Sequence, residues 1–263
     1  MNPINTNDFS YLWRGQQREI LLSEHADRLA SVKIQGKGLK RALLLLHGFG
    51  SSPAVYRLML PALTGYDALV CPVLPGHGTN LDAFAQVNAC DWITAVESAC
   101  EALLQHYETV DVMGLSLGGL LACHLAKKFP IHHLYLLAPA LALRTHVKIS
   151  LICAHALQRL GLKQIRNRAG NLRSTAHAEL TYRQLPVSTI IEILTLIDTF
   201  TFTPPACPIE LFLGRYDNVV DVAKVASCVG ALSNTTTHWL TNSAHVLPLD
   251  NDVDAIIRCV NSP

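Results

Sequence analysis

The most constraining stretch of this sequence is residues 109–119, where a serine stands between glycines. Thr109–Met113 is a short run of mostly apolar residues, typical of a buried strand. The segment Gly114-Leu-Ser-Leu-Gly118 follows it, and residues 117–128 carry apolar side chains at the period of a helix. This pattern predicts a strand, a tight turn with Ser116 at its tip, and a helix that begins at the same point. The alternative is a Gly-rich turn that packs closely or binds a phosphate.

Apolar strands and helical segments alternate on both sides of this unit. Ala42–Leu46 is apolar throughout, as expected for a strand covered on both faces, and Ser31–Gln35 alternates like an edge strand. Further strands are predicted at residues 67–74, 132–137, 209–213 and 236–240, and helices at 54–63, 91–107 and 252–260. This order predicts an α/β fold with a mostly parallel central sheet and helices on both faces.

The alternation stops between residues 141 and 203. This stretch is predicted to contain helices at 147–160 and 186–200 but no buried strand, so we interpret it as an inserted helical cap. The core would then comprise residues 1–140 and 204–263. Eight basic against three acidic residues give the cap a net charge of +5, and the chain's net charge of +1 leaves −4 elsewhere. These cations either attract anionic substrates or an anionic lipid surface, or only keep an apolar cap in solution.

Two polar residues follow predicted strands downstream of Ser116. Asp217 lies just past the carboxyl end of one strand, and His245 lies in the loop after the last strand. Because ligands of such sheets bind beyond the carboxyl ends of the strands, we expect the three side chains to meet there. The order Ser, Asp, His fits a nucleophilic serine: His245 would accept the hydroxyl proton, and Asp217 would orient the imidazole. Asp221 is the rival carboxylate, but its position suits the first turn of the next helix.

The loop His47-Gly-Phe-Gly50, which follows the strand Ala42–Leu46, lies at the same edge of the sheet. This architecture places a second oxyanion donor there, so we predict the backbone N–H groups of Phe49 and Leu117 as the two donors. The alternative is an ordinary βα loop in which His47 is a structural histidine. His77 precedes the serine in the chain, within a Gly-rich turn, and is predicted to hydrogen bond to backbone rather than to act as a base.

Taken together, these segments resemble the α/β-hydrolase superfamily. The matching residues are His47-Gly-Phe-Gly50, Leu74-Pro-Gly-His-Gly78, Gly114-Leu-Ser-Leu-Gly-Gly119, Gly214-Arg-Tyr-Asp217 and Ser243-Ala-His245. They are most similar to small capped bacterial carboxylesterases and monoacylglycerol lipases, over about residues 40–260. The resemblance implies that Ser116, Asp217 and His245 form a catalytic triad. It also implies that Phe49 and Leu117 are the oxyanion residues, and that neither a metal nor a cofactor takes part.

The predicted substrate is a small carboxylic ester with a short to medium acyl chain, or a monoacylglycerol, cleaved through an acyl-serine intermediate. Val147, Leu151 and Leu157, apolar residues of the first cap helix, are predicted to bind substrate above the serine. A thioesterase, an acyltransferase or a C–C bond hydrolase on the same scaffold would have much the same sequence. A catalytically silent ligand-binding protein is the alternative from a different class.

Composition narrows the possible partners. The net charge of +1 argues against a nucleic-acid partner, and no apolar run is long enough for an integral membrane segment.

The first ten residues are polar, unlike a signal peptide, and the eight cysteines form no C-x-x-C pair. We therefore predict free thiols in a cytoplasmic protein. Residues 8–30 and the oligomeric state receive no prediction.

Overall fold

The computed structural model describes residues 3–262; Met1, Asn2 and Pro263, at the ends of the predicted core ranges, lie outside the described residues. Within residues 3–262 the strands are β1 (Phe9–Trp13), β2 (Gln16–Ile20), β3 (Val32–Gln35), β4 (Arg41–Leu46), β5 (Ala68–Cys71), β6 (Thr109–Leu115), β7 (His133–Leu137), β8 (Gln164–Arg166), β9 (Glu179–Tyr182), β10 (Gln184–Pro186), β11 (Ile209–Gly214) and β12 (Thr235–Leu240). The α-helices are α1 (Leu81–Gln86), α2 (Ala89–Leu104), α3 (Leu117–Lys128), α4 (Val147–Arg159), α5 (Val187–Thr199), α6 (Val222–Cys228) and α7 (Val253–Asn261).

Short 3-10 helices connect several of these elements. They are Thr6–Asp8, Ser23–Leu29, Pro53–Tyr56, Leu60–Ala62 and Leu247–Leu249. The single helix predicted at residues 54–63 is therefore wrong, since two separate turns occupy this stretch. Pro61 is the physical reason, because a proline has no N–H to donate and interrupts a continuous helix.

The central sheet has seven strands in the order β12-β11-β7-β6-β4-β5-β3. All neighbours run parallel except β3, which pairs antiparallel with β5 at the edge. Leu44 and Leu46 pack on the face covered by α2 and α3, whereas Leu43 and Leu45 pack on the face covered by α7. Burial on both faces explains the uninterrupted apolar run of β4 and confirms the predicted fold class.

The carboxyl ends of the parallel strands place the predicted site residues at one edge of the sheet. The 47–50 loop follows β4, Ser116 follows β6, Asp217 follows β11, and His245 follows β12. Four separate connections therefore contribute to one region, as expected for an open parallel sheet.

The stretch between β7 and β11 contains two α-helices and three short strands. The helices α4 and α5 match the predicted segments, and β8 pairs antiparallel with β10. The expectation that this stretch has no buried strand is wrong, because β9 is buried along its whole length. The sequence of β9 does not predict a buried strand, because Glu179 and Thr181 are polar. Among residues 3–262, no helix combines the length and apolar character that crossing a membrane would require.

The amino-terminal residues, which received no prediction, form a hairpin that completes this stretch. The strands β1 and β2 pair antiparallel, and β1 pairs antiparallel with β9, giving a second sheet in the order β2-β1-β9. Phe9 of β1 is fully buried, and its ring lies 4.2 Å, centroid to centroid, from that of Tyr182 in β9. The hairpin is thus part of the packed structure and not a loose extension.

We expect the substitution Phe9→Ala to lower the free energy of unfolding by about 3–5 kcal/mol, the usual cost of emptying a buried aromatic site. Ile20, on the neighbouring strand of the same hairpin, is 39 % exposed, so Ile20→Ala should change it by only about 1 kcal/mol or less. Urea unfolding followed by circular dichroism measures both variants. Equal losses for the two would show that the hairpin is not docked through Phe9.

Candidate active site

Ser116 occupies a strained turn between β6 and α3. Its φ is +55°, a left-handed conformation that is uncommon for a residue with a side chain. A Cβ at Gly114 would lie 2.2 Å from the carbonyl oxygen of Gly118, and one at Gly118 would lie 2.1 Å from that of Leu46. Close approach of backbone to backbone therefore requires glycine at both positions.

The backbone of this turn is held on both sides. The N–H of Ser116 donates to the carbonyl of Leu137 at 3.0 Å, and its carbonyl accepts from Gly119 at 2.9 Å and Ala140 at 3.0 Å. Within residues 3–262, the Ser116 hydroxyl makes no hydrogen bond that fixes its direction, and the residue lines the large cavity described below. The hydroxyl is thus presented to the cavity at the amino end of α3, where N–H groups also converge.

Asp217 and His245 form a buried pair beside this cavity. His245 Nδ1–H donates to Asp217 Oδ2 at 2.7 Å, and the two residues are 8 % and 1 % exposed. The other carboxylate oxygen, Asp217 Oδ1, accepts from the N–H groups of Val219 and Val220 at 2.8 Å each. These bonds fix the position of the Asp217 carboxylate. Because Nδ1 of His245 donates its proton to this carboxylate, Nε2 is the ring nitrogen able to accept a proton.

The pairing sets the acid–base behaviour of His245. Burial lowers the pKa of this imidazole, but attraction to Asp217 and the hydrogen bond between them outweigh it, with a further contribution from Glu179. The net result is a pKa raised above the usual value for histidine. Asp221, the rival carboxylate, instead caps α6 and pairs with Lys224, as predicted from its position.

Asn171, which sequence reasoning missed, joins the loops that carry Asp217 and His245. Its backbone carbonyl accepts from the N–H of His245 at 2.9 Å and of Val246 at 3.0 Å. Its side-chain oxygen accepts from the N–H of Asn218 at 3.1 Å, next to Asp217. One residue from outside the parallel sheet therefore keeps these two loops in register.

The loop that carries Phe49 is also held from two directions. The N–H of Gly50 donates to Nε2 of His77 at 3.0 Å, and its carbonyl accepts from the hydroxyl of Thr181 at 2.7 Å and the N–H of Tyr182 at 3.2 Å. Within residues 3–262, the N–H groups of Phe49 and Leu117 donate to no acceptor. Phe49 lines the cavity with Ser116, and Leu117 follows Ser116 directly. Phe49 and Leu117 therefore each have a backbone N–H without an acceptor, one in the loop that shares the cavity with Ser116 and one in the residue that follows it.

His77 hydrogen bonds to backbone, as predicted, and the ring of His47 does the same. Nε2 of His47 accepts from the N–H of Leu74 at 3.0 Å, and Nδ1 of His77 contacts the carbonyl oxygen of Pro75 at 3.1 Å. Burial lowers the pKa of His47 to about 4 and that of His77 well below its usual value. Both rings are therefore neutral near pH 7, which their acceptor roles at Nε2 require.

A cavity of about 1160 Å³ opens above Ser116 and His245. Its apolar wall comes largely from the stretch between β7 and β11, through Leu143, Ile165, Leu185, Ile193, Leu194 and Ile197. Val147, Leu151 and Leu157, predicted to bind substrate, do not line it. Val147 packs against the main core, Leu151 against Ala154 and Val187, and Leu157 lines a smaller pocket. The phase of α4 relative to the core, which sequence periodicity does not define, is the reason for this difference.

Sequence reasoning missed two of the charged residues of the cavity, Glu179 and Arg14. Glu179 is buried in its wall and accepts a hydrogen bond from the N–H of Gly170 at 2.9 Å; burial raises the pKa of this carboxyl. Arg14, Arg166 and Arg168 also line the cavity. Arg166 and Arg168 belong to the eight basic residues that the sequence places in residues 141–203, whereas Arg14 lies outside that stretch.

One group of side chains within residues 3–262 could hold a metal ion. The ligand atoms of Glu210, His238 and Cys259 lie within 4.8 Å of one another. Glu210 already accepts a hydrogen bond from His238, and none of the three residues lines the cavity. This group therefore links β11, β12 and α7 and plays no part at Ser116.

Comparison with known proteins agrees with the fold and the motifs. The profile of the family described as "Alpha/beta hydrolase family" matches residues 43–258. A thermostable monoacylglycerol lipase from Bacillus sp. (strain H-257) is 28 % identical over 82 % of this chain and 87 % of its own length. A carboxylesterase from Bacillus subtilis (strain 168) is 25 % identical over 84 % of this chain and 90 % of its own length.

Solved structures show the same architecture. The structure reported for the metagenome-derived lipolytic enzymes LipS and LipT superposes with a TM-score of 0.75 at 24 % identity, covering 88 % of this chain and 95 % of its own. The Paleococcus ferrophilus monoacylglycerol lipase superposes with a TM-score of 0.69 at 16 % identity, covering 89 % and 98 %. At these identities the likeness shows the fold alone. Together with the profile match over most of the chain, it confirms the resemblance inferred from the motifs: the chain belongs to the alpha/beta hydrolase family.

Proposed function

We propose that this protein hydrolyses carboxylic esters through an acyl-serine intermediate, with Ser116 as nucleophile, His245 as base and Asp217 as the orienting acid. The observation that carries the proposal is the 2.7 Å Asp217–His245 pair, which borders the same cavity as Ser116. The names of the relatives, monoacylglycerol lipase and carboxylesterase, support ester hydrolysis as the reaction class.

In the first half of the reaction, the Ser116 oxygen attacks the ester carbonyl carbon while Nε2 of His245 takes the hydroxyl proton. The carbonyl oxygen becomes an oxyanion, which the N–H groups of Phe49 and Leu117 stabilise. Since neither group donates elsewhere among residues 3–262, both are available without rearrangement. The negative charge of Asp217 stabilises the imidazolium during this step.

In the second half, the tetrahedral intermediate collapses and the alcohol departs with the proton from His245. Water then attacks the acyl-serine carbonyl, and His245 takes its proton and returns one to the Ser116 oxygen as the acid leaves. Side chains and backbone donors of this chain supply every proton transfer and charge contact in this sequence, so the proposed mechanism uses no cofactor.

The cavity supports an ester with an apolar acyl chain as the substrate. Its wall carries Leu185, Ile193 and Ile197, and a cavity of about 1160 Å³ holds more than a minimal ester. Within the proposal, residues 141–203 act as the cap that shapes this space. Short- to medium-chain esters and monoacylglycerols both fit this description.

We expect Ser116→Ala to lower kcat for p-nitrophenyl butyrate by on the order of 10⁶, as for nucleophile removal in other triad enzymes. The hydroxyl makes no hydrogen bond within residues 3–262, so the thermal unfolding midpoint should hardly change. A fluorophosphonate probe should label the wild type and not the variant, which separates an enzyme from a silent ligand-binding protein. Retention of a tenth of the wild-type activity would disprove the covalent mechanism.

Asp217→Asn should lower kcat/KM by about 10⁴, whereas Asp221→Asn should have little effect. The amide oxygen can keep the bonds to Val219 and Val220, which turns the NH₂ group toward Nδ1 of His245 and favours the wrong tautomer. The Asp221 carboxylate bonds to Lys224 in the first turn of α6, so Asp221→Asn is the matched control. The opposite ranking of the two variants would assign the acid to Asp221.

The pH profile gives an independent measure of the same pair. Protonated His245 cannot accept the serine proton, so kcat/KM should fall as the pH decreases through its pKa. Asp217 raises the pKa of His245, so loss of this carboxylate should lower the pKa of His245. The acidic limb of the Asp217→Asn profile should therefore move to lower pH. An unchanged limb would mean that another group controls it.

The cavity wall predicts which residues set the chain-length preference. Ile193→Ala enlarges the cavity, so the maximum of kcat/KM along a p-nitrophenyl ester series should move to longer chains; each buried methylene contributes about 0.8 kcal/mol. Leu151→Ala, on the neighbouring helix outside the cavity, should leave the maximum in place. The reverse outcome would place the acyl chain against α4, as the sequence first indicated.

A further inference from the structure

Three arginines from two distant segments converge on one side of the cavity. Arg14 lies in the turn between β1 and β2, Arg166 ends β8, and Arg168 follows two residues later. We call these three side chains the arginine rim. All three are solvent-exposed while also lining the cavity that holds Ser116, so they stand between the site and bulk water.

Backbone hydrogen bonds fix the two segments against each other. The N–H of Arg14 donates to Gly170 at 2.7 Å, and that of Gly15 donates to Ala169 at 2.8 Å. One guanidinium N–H of Arg166 donates to the carbonyl of Gly15 at 3.2 Å. The backbones that carry the three arginines are therefore joined to one another, which keeps the side chains on the same side of the cavity.

No carboxylate neutralises the arginine rim. Within residues 3–262, none of its members has an Asp or Glu oxygen within 4.0 Å, whereas Arg41 pairs with Asp111 at 2.7 Å. Glu179 is the one carboxyl group among the residues that line the cavity, and it is buried and bonded to the N–H of Gly170. The opening of the cavity thus carries an excess of positive charge, with guanidinium donors available to an incoming anion.

We propose that the arginine rim binds a carboxylate or phosphate group carried by the ester substrate, at the end remote from the bond that is cleaved. Apolar residues such as Leu185 and Ile193 lie in the same cavity. The substrate that fits has an ester at Ser116, an apolar segment along this wall, and an anion at the rim. This inference rests on the proposed ester hydrolysis and specifies its substrate class.

Two pairs of esters test on which side of the ester bond the anion lies. Methyl hydrogen suberate and methyl octanoate have equal chain length and differ in a carboxylate on the acyl side. Monooctanoylglycerol phosphate and monooctanoylglycerol differ in a phosphate on the alcohol side. We expect the anionic member of at least one pair to have a kcat/KM about tenfold higher than its neutral partner, and the pair that shows it identifies the side. No preference in either pair would overturn the proposal.

A double variant separates direct contact from the general field of the protein. In Arg166→Gln/Arg168→Gln, the ratio of anionic to neutral kcat/KM should fall by about tenfold. The matched control, Lys148→Gln/Arg159→Gln, removes two exposed charges from α4, outside the cavity lining, and should keep the ratio. An equal fall in both variants would mean that net charge attracts the anion without contact, and would refute the arginine rim as a binding site.

Binding without turnover keeps this test independent of the proposed reaction. Calorimetry on Ser116→Ala should show tighter binding of the anionic probe of the favoured pair than of its neutral partner, and the difference should vanish when Arg166 and Arg168 are also replaced. If that binding preference is present but the wild type cleaves none of the esters, the proposed function fails while the anion site stands. If the wild type cleaves the esters and the variants bind both probes equally, the anion site is refuted alone.

Discussion

The close contact between backbones at the start of α3 is the constraint on which the rest of the site depends. The absence of side chains at Gly114 and Gly118 lets β6, α3 and the end of β4 approach within van der Waals distance. This approach brings the strained backbone of Ser116 next to the loop of Phe49. A methyl group at either glycine would clash with a backbone carbonyl oxygen and displace the turn that carries Ser116.

The features that could be predicted from the sequence are those encoded by local patterns. Leu43–Leu46 is apolar because both faces of β4 are covered, and the strand–turn–helix unit around Ser116 is complete within eleven residues. The convergence of Asp217 and His245 followed from a general property of parallel sheets, namely that their carboxyl ends share an edge. Each of these inferences required only the types of residues adjacent in sequence or the order of the strands along the chain.

The features that could not be predicted depend on pairing between distant segments. The strand β9 has polar side chains at Glu179 and Thr181, and it is buried through contacts with distant segments, including β1, about 170 residues earlier, and Gly50. Asn171 holds the His245 loop through its backbone carbonyl, which every residue possesses, and its side-chain oxygen bonds to Asn218, 47 residues later, so local sequence could not single it out. The rotation of α4 about its axis is likewise set by α5 and the core, which left Leu151 outside the cavity.

The bonds from β9 to the carbonyl of Gly50 have a consequence for how molecules reach the serine. If residues 141–203 swung outward as one body, the Gly50 carbonyl would lose both of its partners, and Ser188 and Thr189 of α5 would lose their bonds to α1. Opening would thus dismantle the loop that carries Phe49, at the cost of several unpaired buried polar groups. Substrate and product therefore reach and leave Ser116 through the permanent opening of the cavity. Rotation of the side chains of the arginine rim sets the width of this opening, and no hinge movement is required.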